Sequence, residues 1–159
     1  KFLREEVAIR NAQLCKELRL LPFGLAETRG VSDVVACFSS YVDALAGSPE
    51  PQTEEGEREF TALLRSILED HVGIVRSLGE GVREVRGTVG EERYEEIRPE
   101  VDLILDRFFI KRIGLQFLTR HHIESAQVKP GVSGIIHSNV AVGPILRQAA
   151  DEAQAVCRE

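Results

Sequence analysis

Apolar residues recur every three or four positions along most of this 159-residue chain. This spacing is typical of α-helices that bury one face and expose the other. We predict five helical segments, over residues 2–20, 32–45, 58–85, 99–123 and from 144 onward. No run alternates apolar and polar residues as a half-buried strand would. The pattern therefore predicts an all-α domain with a bundle of helices.

The third segment contains a histidine in the middle of its apolar stripe. The stripe consists of Phe60, Leu63, Leu64, Ile67, His71, Ile74, Val75, Leu78, Val82 and Val85. Because this spacing places all ten side chains on one face of one long helix, His71 is predicted to be buried and to need a partner. His71 is thus the first candidate for a ligand pocket, and it is a poor candidate for a solvent-facing phosphate acceptor.

The fourth segment is apolar around much of its circumference, which predicts a central position in the bundle. Its predicted inner face comprises Val101, Ile104, Leu105, Phe108, Leu115 and Leu118, widened by Phe109 and Ile113. Arg112 and Gln116 lie on the same inward side. If Arg112 meets His71, the two form a positive pocket suited to a small carboxylate. The alternative is a satisfied buried pair with Asp70 or Asp106 as the partner.

The remaining segments have ordinary core stripes. The inward residues of the first are Leu3, Val7, Ala8, Ala12, Leu14, Cys15 and Leu18; the second begins at an N-cap Ser32 and buries Val34, Val35, Phe38, Tyr41, Val42 and Leu45; the last buries Ile145, Leu146, Ala149, Ala153 and Val156. Residues 128–136 form an irregular crossing before that helix.

His121 and His122 close the fourth helix. Cations are favoured at a helix C-terminus, beside the last carbonyls, so we assign these histidines no metal or catalytic role.

Composition excludes several classes of function. The net charge of −6 provides no basic surface for nucleic acid, and no stretch approaches the roughly 18 apolar residues of a membrane span. Cys15, Cys37 and Cys157 have no disulfide or zinc-ligand spacing, so buried free thiols are expected. The chain lacks the spacing of a phosphate-binding loop, a zinc protease helix, a nucleophile elbow or a di-iron bundle. We therefore predict no catalytic residue, no metal site and no cofactor.

Several segments, in order along the whole chain, resemble the mitochondrial α-ketoacid dehydrogenase kinases, the pyruvate and branched-chain dehydrogenase kinase family. Residues 2–12 are similar to the family's F-L-R-x-E-x-x-x-R-x-A helix, and Leu21-Pro22 to the Leu-Pro that ends it. Residues 70–82 resemble its H-x-x-V-V…G-V helix. Residues 105–115 are similar to its L-D-R-F-x-x-x-R-I-G/S-I run, which a histidine, here His122, closes. Residues 134–136 resemble its V-G-I-I crossing.

This resemblance implies that residues 1–159 are the family's N-terminal regulatory domain, four-helix-bundle-like with a short N-terminal helix. The ATP and magnesium site of such kinases lies in a following domain with an E-x-x-x-N box and a D-x-G-x-G loop, and neither pattern occurs here. We therefore expect this chain to be part of a longer protein and to be inactive alone. The implied partners are the lipoyl domain of the acyltransferase core, the decarboxylase component, and a second kinase subunit held through the missing domain. The implied compartment is the mitochondrial matrix.

The resemblance also implies an allosteric pocket for small α-keto acids. The matching positions are Phe38, Tyr41, Ile67, His71, Arg112, Leu115 and Gln116. Two positions depart from the family pattern, because pyruvate-type members carry arginine where this chain has Leu68, and a second pocket arginine is replaced by Gln116. Fewer cationic donors predict weak binding.

Two other classes of function remain open from the sequence. A histidine phosphotransfer or dimerisation bundle needs an exposed histidine, which the position of His71 disfavours. A plain helical interaction module would bind no ligand. Binding of a lipoylated domain separates the kinase interpretation from the second alternative, and a phosphohistidine assay separates it from the first.

Overall fold

The computed structural model describes residues 2–127 and 129–157, without the side chains of His71, Val72 and Val156. The described elements are α1 (Phe2–Arg19), α2 (Arg29–Gly47), α3 (Glu54–Glu69), a 3₁₀ turn (Asp70–Gly73), α4 (Ile74–Val89), α5 (Glu91–Ser125), β1 (Val132–Ser133), β2 (Ile136–His137) and α6 (Val142–Val156). The predicted all-α class is confirmed. The exception is a minimal antiparallel hairpin, in which Ser133 pairs with Ile136 within the predicted irregular crossing.

Four helices form a closed ring around the core. Helix α1 packs on α2, α2 on α4, α4 on α5, and α5 back on α1, while α3 packs along α5. The core contains aliphatic and aromatic side chains from all of them, including Leu14, Phe38, Leu64, Leu78 and Phe108. With 18 residues, α1 is a full member of this ring rather than a short appendage.

Side-chain contacts define how three of these helices are arranged. Arg4 on α1 bonds to Ser48, whereas Cys15 on α1 contacts Ser39, so α1 and α2 are antiparallel. The ring of Phe38 meets that of Phe108 on α5, at 6.0 Å between centroids. An ion pair between Glu17 and Lys111 ties α1 to α5 on the outside.

The predicted third helix is wrong as one continuous helix. A 3₁₀ turn at residues 70–73, which includes the backbone of His71, separates α3 from α4. The inner stripe continues on α4, where Ile74, Leu78 and Val85 are buried as predicted. Val75, also predicted to be on this stripe, is 57% exposed.

Two helix starts also differ from the prediction. The hydroxyl of Thr28, not that of Ser32, caps α2 by accepting a hydrogen bond from the Val31 amide. Helix α5 begins at Glu91 and contains Pro99 as an interior residue. The extra turns before the proline are retained because Tyr94 and Ile97 are buried on the same face as Val101.

The predicted packing of the last helix is wrong. The described side chains of α6 are exposed, including Ile145, Leu146, Ala149 and Ala153, and Val156 lies outside the described side chains. Exposed Cys157 likewise contradicts the expected burial of that thiol, whereas Cys15 is buried and Cys37 is half-buried. Periodicity predicts an apolar face here, but the bundle does not cover it.

Smaller corrections concern the width of two buried faces. Ala12 on α1 and Ile113 on α5 are exposed, although the spacing predicts that both point inward. Both lie at the margin of their stripe, where three- or four-residue spacing alone does not decide burial.

Candidate functional site

Aromatic residues of α2 and α5 pack together as a wall that includes two of the predicted pocket positions, Phe38 and Tyr41. Phe38 is fully buried and Tyr41 is 4% exposed. Their rings meet edge to face at 5.8 Å, and Phe38 meets Phe108 in the same way. This T-shaped geometry is the one favoured by aromatic quadrupoles.

Arg112 brings a positive charge to this wall. It lies near the middle of α5 and is 9% exposed, which confirms its predicted inward orientation. Burial lowers the pKa of its guanidinium, and the interaction with Tyr41 opposes that shift. Loss of hydration disfavours the charged form, so an anion beside Arg112 would stabilise it.

Tyr41 is held neutral at this position. Burial raises the pKa of its phenol, the hydrogen bond and charge interaction with Cys37 and the negative charge of Asp70 add to that, and the charge of Arg112 opposes it. The thiol of Cys37 donates to the phenolic oxygen at 2.7 Å. Tyr41 therefore offers a neutral hydroxyl group at neutral pH.

The other predicted pocket residues come from α3 and α5. Ile67 is 4% exposed near the end of α3, Leu115 is 2% exposed, and Gln116 is half-buried. Leu68 is half-buried next to Ile67. The side chain of His71 lies outside the described residues, so its facing of Arg112 stays a prediction.

Both candidate acidic partners of a buried pair are exposed. Asp70 lies in the 3₁₀ turn and Asp106 lies on α5, and both are accessible to solvent. Asp70 is nevertheless close enough to act electrostatically on Tyr41.

His122 has a structural role beyond the predicted favourable position near the end of α5. Its Nε2 lies 3.2 Å from the hydroxyl of Thr61 and 3.3 Å from a carboxylate oxygen of Glu57, and its ring packs on Phe60. It therefore connects α5 to α3. His121 is half-buried beside the turn at Gly134.

One buried polar residue is absent from the pocket predicted by the sequence. Asn11 is completely buried on α1, between Val7 and Leu14 on the core face. Its Nδ2 donates to the carbonyl of Val7 at 2.7 Å, and its Oδ1 is enclosed without a hydrogen-bond partner among the described residues. Its spacing from Val7, Leu14 and Leu18 is the signal that could have revealed it, since it follows the same three-to-four rule.

Neither a cluster of metal ligands nor a membrane-spanning helix is found in the part of the chain that the structure describes. Within residues 2–127 and 129–157, no three His, Cys, Asp or Glu side chains gather as metal ligands would. Of the helices described, none combines the length and the apolar character needed to cross a membrane.

Comparison with known proteins identifies the family. Residues 1–137 match a family profile described as mitochondrial branched-chain alpha-ketoacid dehydrogenase kinase. The chain belongs to this kinase family. The matched range covers α1 to β2 and stops before α6.

Curated relatives extend the likeness to most of the chain. A mitochondrial pyruvate dehydrogenase (acetyl-transferring) kinase of Arabidopsis thaliana is 27% identical over 99% of this chain and 42% of its own length. One from Drosophila melanogaster is 31% identical over 76% of this chain and 30% of its own length. Isozyme 1 of the mitochondrial pyruvate dehydrogenase (acetyl-transferring) kinase from Rattus norvegicus is 26% identical over 98% of this chain and 37% of its own length. The chain thus spans less than half the length of these relatives.

Proposed function

We propose that residues 1–159 are the regulatory domain of a mitochondrial protein serine kinase that phosphorylates and inactivates an α-ketoacid dehydrogenase complex. The family profile and the names of the relatives support this proposal. In the whole protein, ATP and magnesium would bind in a separate domain. The profile names the branched-chain complex and the relatives name the pyruvate complex, so either complex is a candidate partner.

Within this role, the domain binds a small α-keto acid at the interface of α2, α3 and α5. The observation that carries this step is the buried Arg112, whose charge lies beside Tyr41 in a wall of aromatic side chains. A carboxylate would pair with the guanidinium through charge-assisted hydrogen bonds. Phe38, Ile67 and Leu115 would surround the ligand's apolar part, Gln116 would border it, and His71 would be a second donor.

Titration followed by nuclear magnetic resonance tests this pocket. We expect 4-methyl-2-oxopentanoate or pyruvate to bind with millimolar affinity, about −4 kcal/mol, and to shift the resonances of Tyr41 and Leu115. Arg112→Gln should weaken binding about tenfold or more, since a hydrogen bond to a charged group contributes about 1.5–3 kcal/mol. Arg107→Gln is the matched control, because Arg107 is an exposed arginine on the same helix.

Equal affinities of Arg112→Gln and Arg107→Gln for the acid, or resonance shifts that map away from α2 and α5, would contradict the pocket. Restoring a second cation with Gln116→Arg should tighten binding about tenfold.

Docking to the complex has its own test. The domain should bind a lipoylated acyltransferase domain more tightly than the same domain without its lipoyl group, measured by calorimetry. Equal binding of the two forms would contradict lipoyl recognition and leave the ligand pocket untouched.

A further inference from the structure

The enclosed amide of Asn11 is an unexplained polar group in the core. A buried carbonyl oxygen without a partner is costly, and native structures provide one with a donor from protein, water or ligand. The orientation of the amide is fixed, since only its nitrogen can donate to the Val7 carbonyl at 2.7 Å. Oδ1 is therefore an acceptor that needs a donor.

Helix register brings Asn11 to the level of the pocket. Cys15 on α1 contacts Val35 and Ser39 on α2. Since the helices are antiparallel, one turn back on α1 to Asn11 corresponds to one turn forward on α2, which is the position of Tyr41.

Arg112 on α5 lies at the same level of the bundle as Asn11 on α1 and Tyr41 on α2. Tyr41 and Arg112 interact electrostatically, and Phe38 meets Phe108 one turn earlier on both helices. The register thus places three buried polar residues, one each from α1, α2 and α5, in one layer of the core. Each offers different chemistry: a cation, a neutral hydroxyl and an amide acceptor.

We infer that Asn11 sets the specificity of this pocket and that its Oδ1 accepts a hydrogen bond from the α-hydroxyl of a small 2-hydroxy acid. The inference rests on the proposed carboxylate site at Arg112. With its carboxylate on Arg112, such a ligand carries the hydroxyl one carbon away. A 2-oxo acid has no hydrogen there and would leave Oδ1 without its donor. The site then discriminates between the reduced and oxidised forms of one carbon skeleton.

Two acids with the same skeleton test this preference. 2-Hydroxy-4-methylpentanoate, as separate enantiomers, and 2-oxo-4-methylpentanoate are titrated into the ¹⁵N-labelled chain. We expect one hydroxy enantiomer to bind about fivefold to tenfold more tightly than the oxo acid, as one hydrogen bond would give. The side-chain amide resonances of Asn11 should shift with the hydroxy acid only.

Variants assign the preference to Asn11. Asn11→Leu, which fits the apolar face of α1, should abolish the difference in affinity between the two acids. Asn11→Ala provides a second, smaller replacement in case the leucine variant does not fold. Thr119→Val is the matched control, because Thr119 is also buried but bonds to Leu115 of its own helix; the preference should persist in this variant.

The possible failures are distinguishable. If the wild-type chain binds both acids equally, or if the preference survives Asn11→Leu, the role of Asn11 is overturned. The donor to Oδ1 is then a buried water and not a ligand. The Arg112 pocket then stands. If neither acid produces shifts that depend on Arg112, the proposed pocket itself is overturned, and the inference falls with it.

Discussion

Helices α2 and α6 have similar apolar stripes, but the stripe of α2 is buried and that of α6 is exposed. On α2, Val34, Phe38, Tyr41 and Leu45 are buried against neighbouring helices. On α6, Val142, Ile145 and Leu146 repeat the same spacing and remain more than half exposed. A periodic stripe therefore specifies which face of a helix is apolar, whereas burial depends on a partner.

The partner of α2 is unusually close. A Cβ atom built on Gly30 would overlap the carbonyl oxygen of Ser77 on α4, and one on Gly81 would overlap the hydroxyl of Thr28. Two glycines thus allow the backbones of α2 and α4 to approach at one crossing. Gly79, two residues before Gly81, differs from it, because a Cβ atom built on Gly79 would meet open space.

The largest expected effect comes from shortening one leucine on each of the two helices, Leu45 on α2 and Leu146 on α6. Leu45→Ala, at a fully buried site, should lower the free energy of unfolding by about 2–5 kcal/mol, through lost transfer energy and a cavity. Leu146→Ala, at a 64% exposed site, should change it by less than about 0.5 kcal/mol. Urea denaturation of both variants measures the difference, and similar losses would show that α6 is packed in solution.

The glycine crossing gives the next effect. Gly30→Ala should cost about 1–3 kcal/mol or more, because the added methyl group meets backbone that cannot rotate away. Gly79→Ala, also inside a helix, should instead stabilise the domain by up to about 1 kcal/mol. Thermal and urea unfolding provide the measurement. A neutral Gly30→Ala would mean that α2 and α4 separate more easily than their contact suggests.

The smallest effect concerns the helix caps. Thr28→Ala removes the hydroxyl that caps α2 and should lower global stability by about 1 kcal/mol. Helix α6 begins after Ala141 without a side-chain cap, so Ala141→Ser should protect the first amides of α6 without changing global unfolding. Hydrogen exchange separates the two responses. Equal effects on global stability would show that α6 unfolds together with the bundle.

The candidate site shows how far periodicity extends toward function. The inward position of Arg112 follows from its spacing between Phe108 and Leu115, and burial confirms it. The resemblance supplied Tyr41 and Gln116 as pocket positions. Asn11 is hard to assign from the sequence because its polarity suggests a surface residue, although the same spacing rule places it on the core face.

The sequence by itself determined the helical class, the main core faces and the inward arginine, because these depend on local spacing along one helix. Tertiary structure decided the break at residues 70–73, the exposure of α6 and the layer of Asn11, Tyr41 and Arg112. These features depend on where helices meet and in which direction they run. Contacts between residues distant in sequence set those relations, and the pattern within a single helix does not encode them.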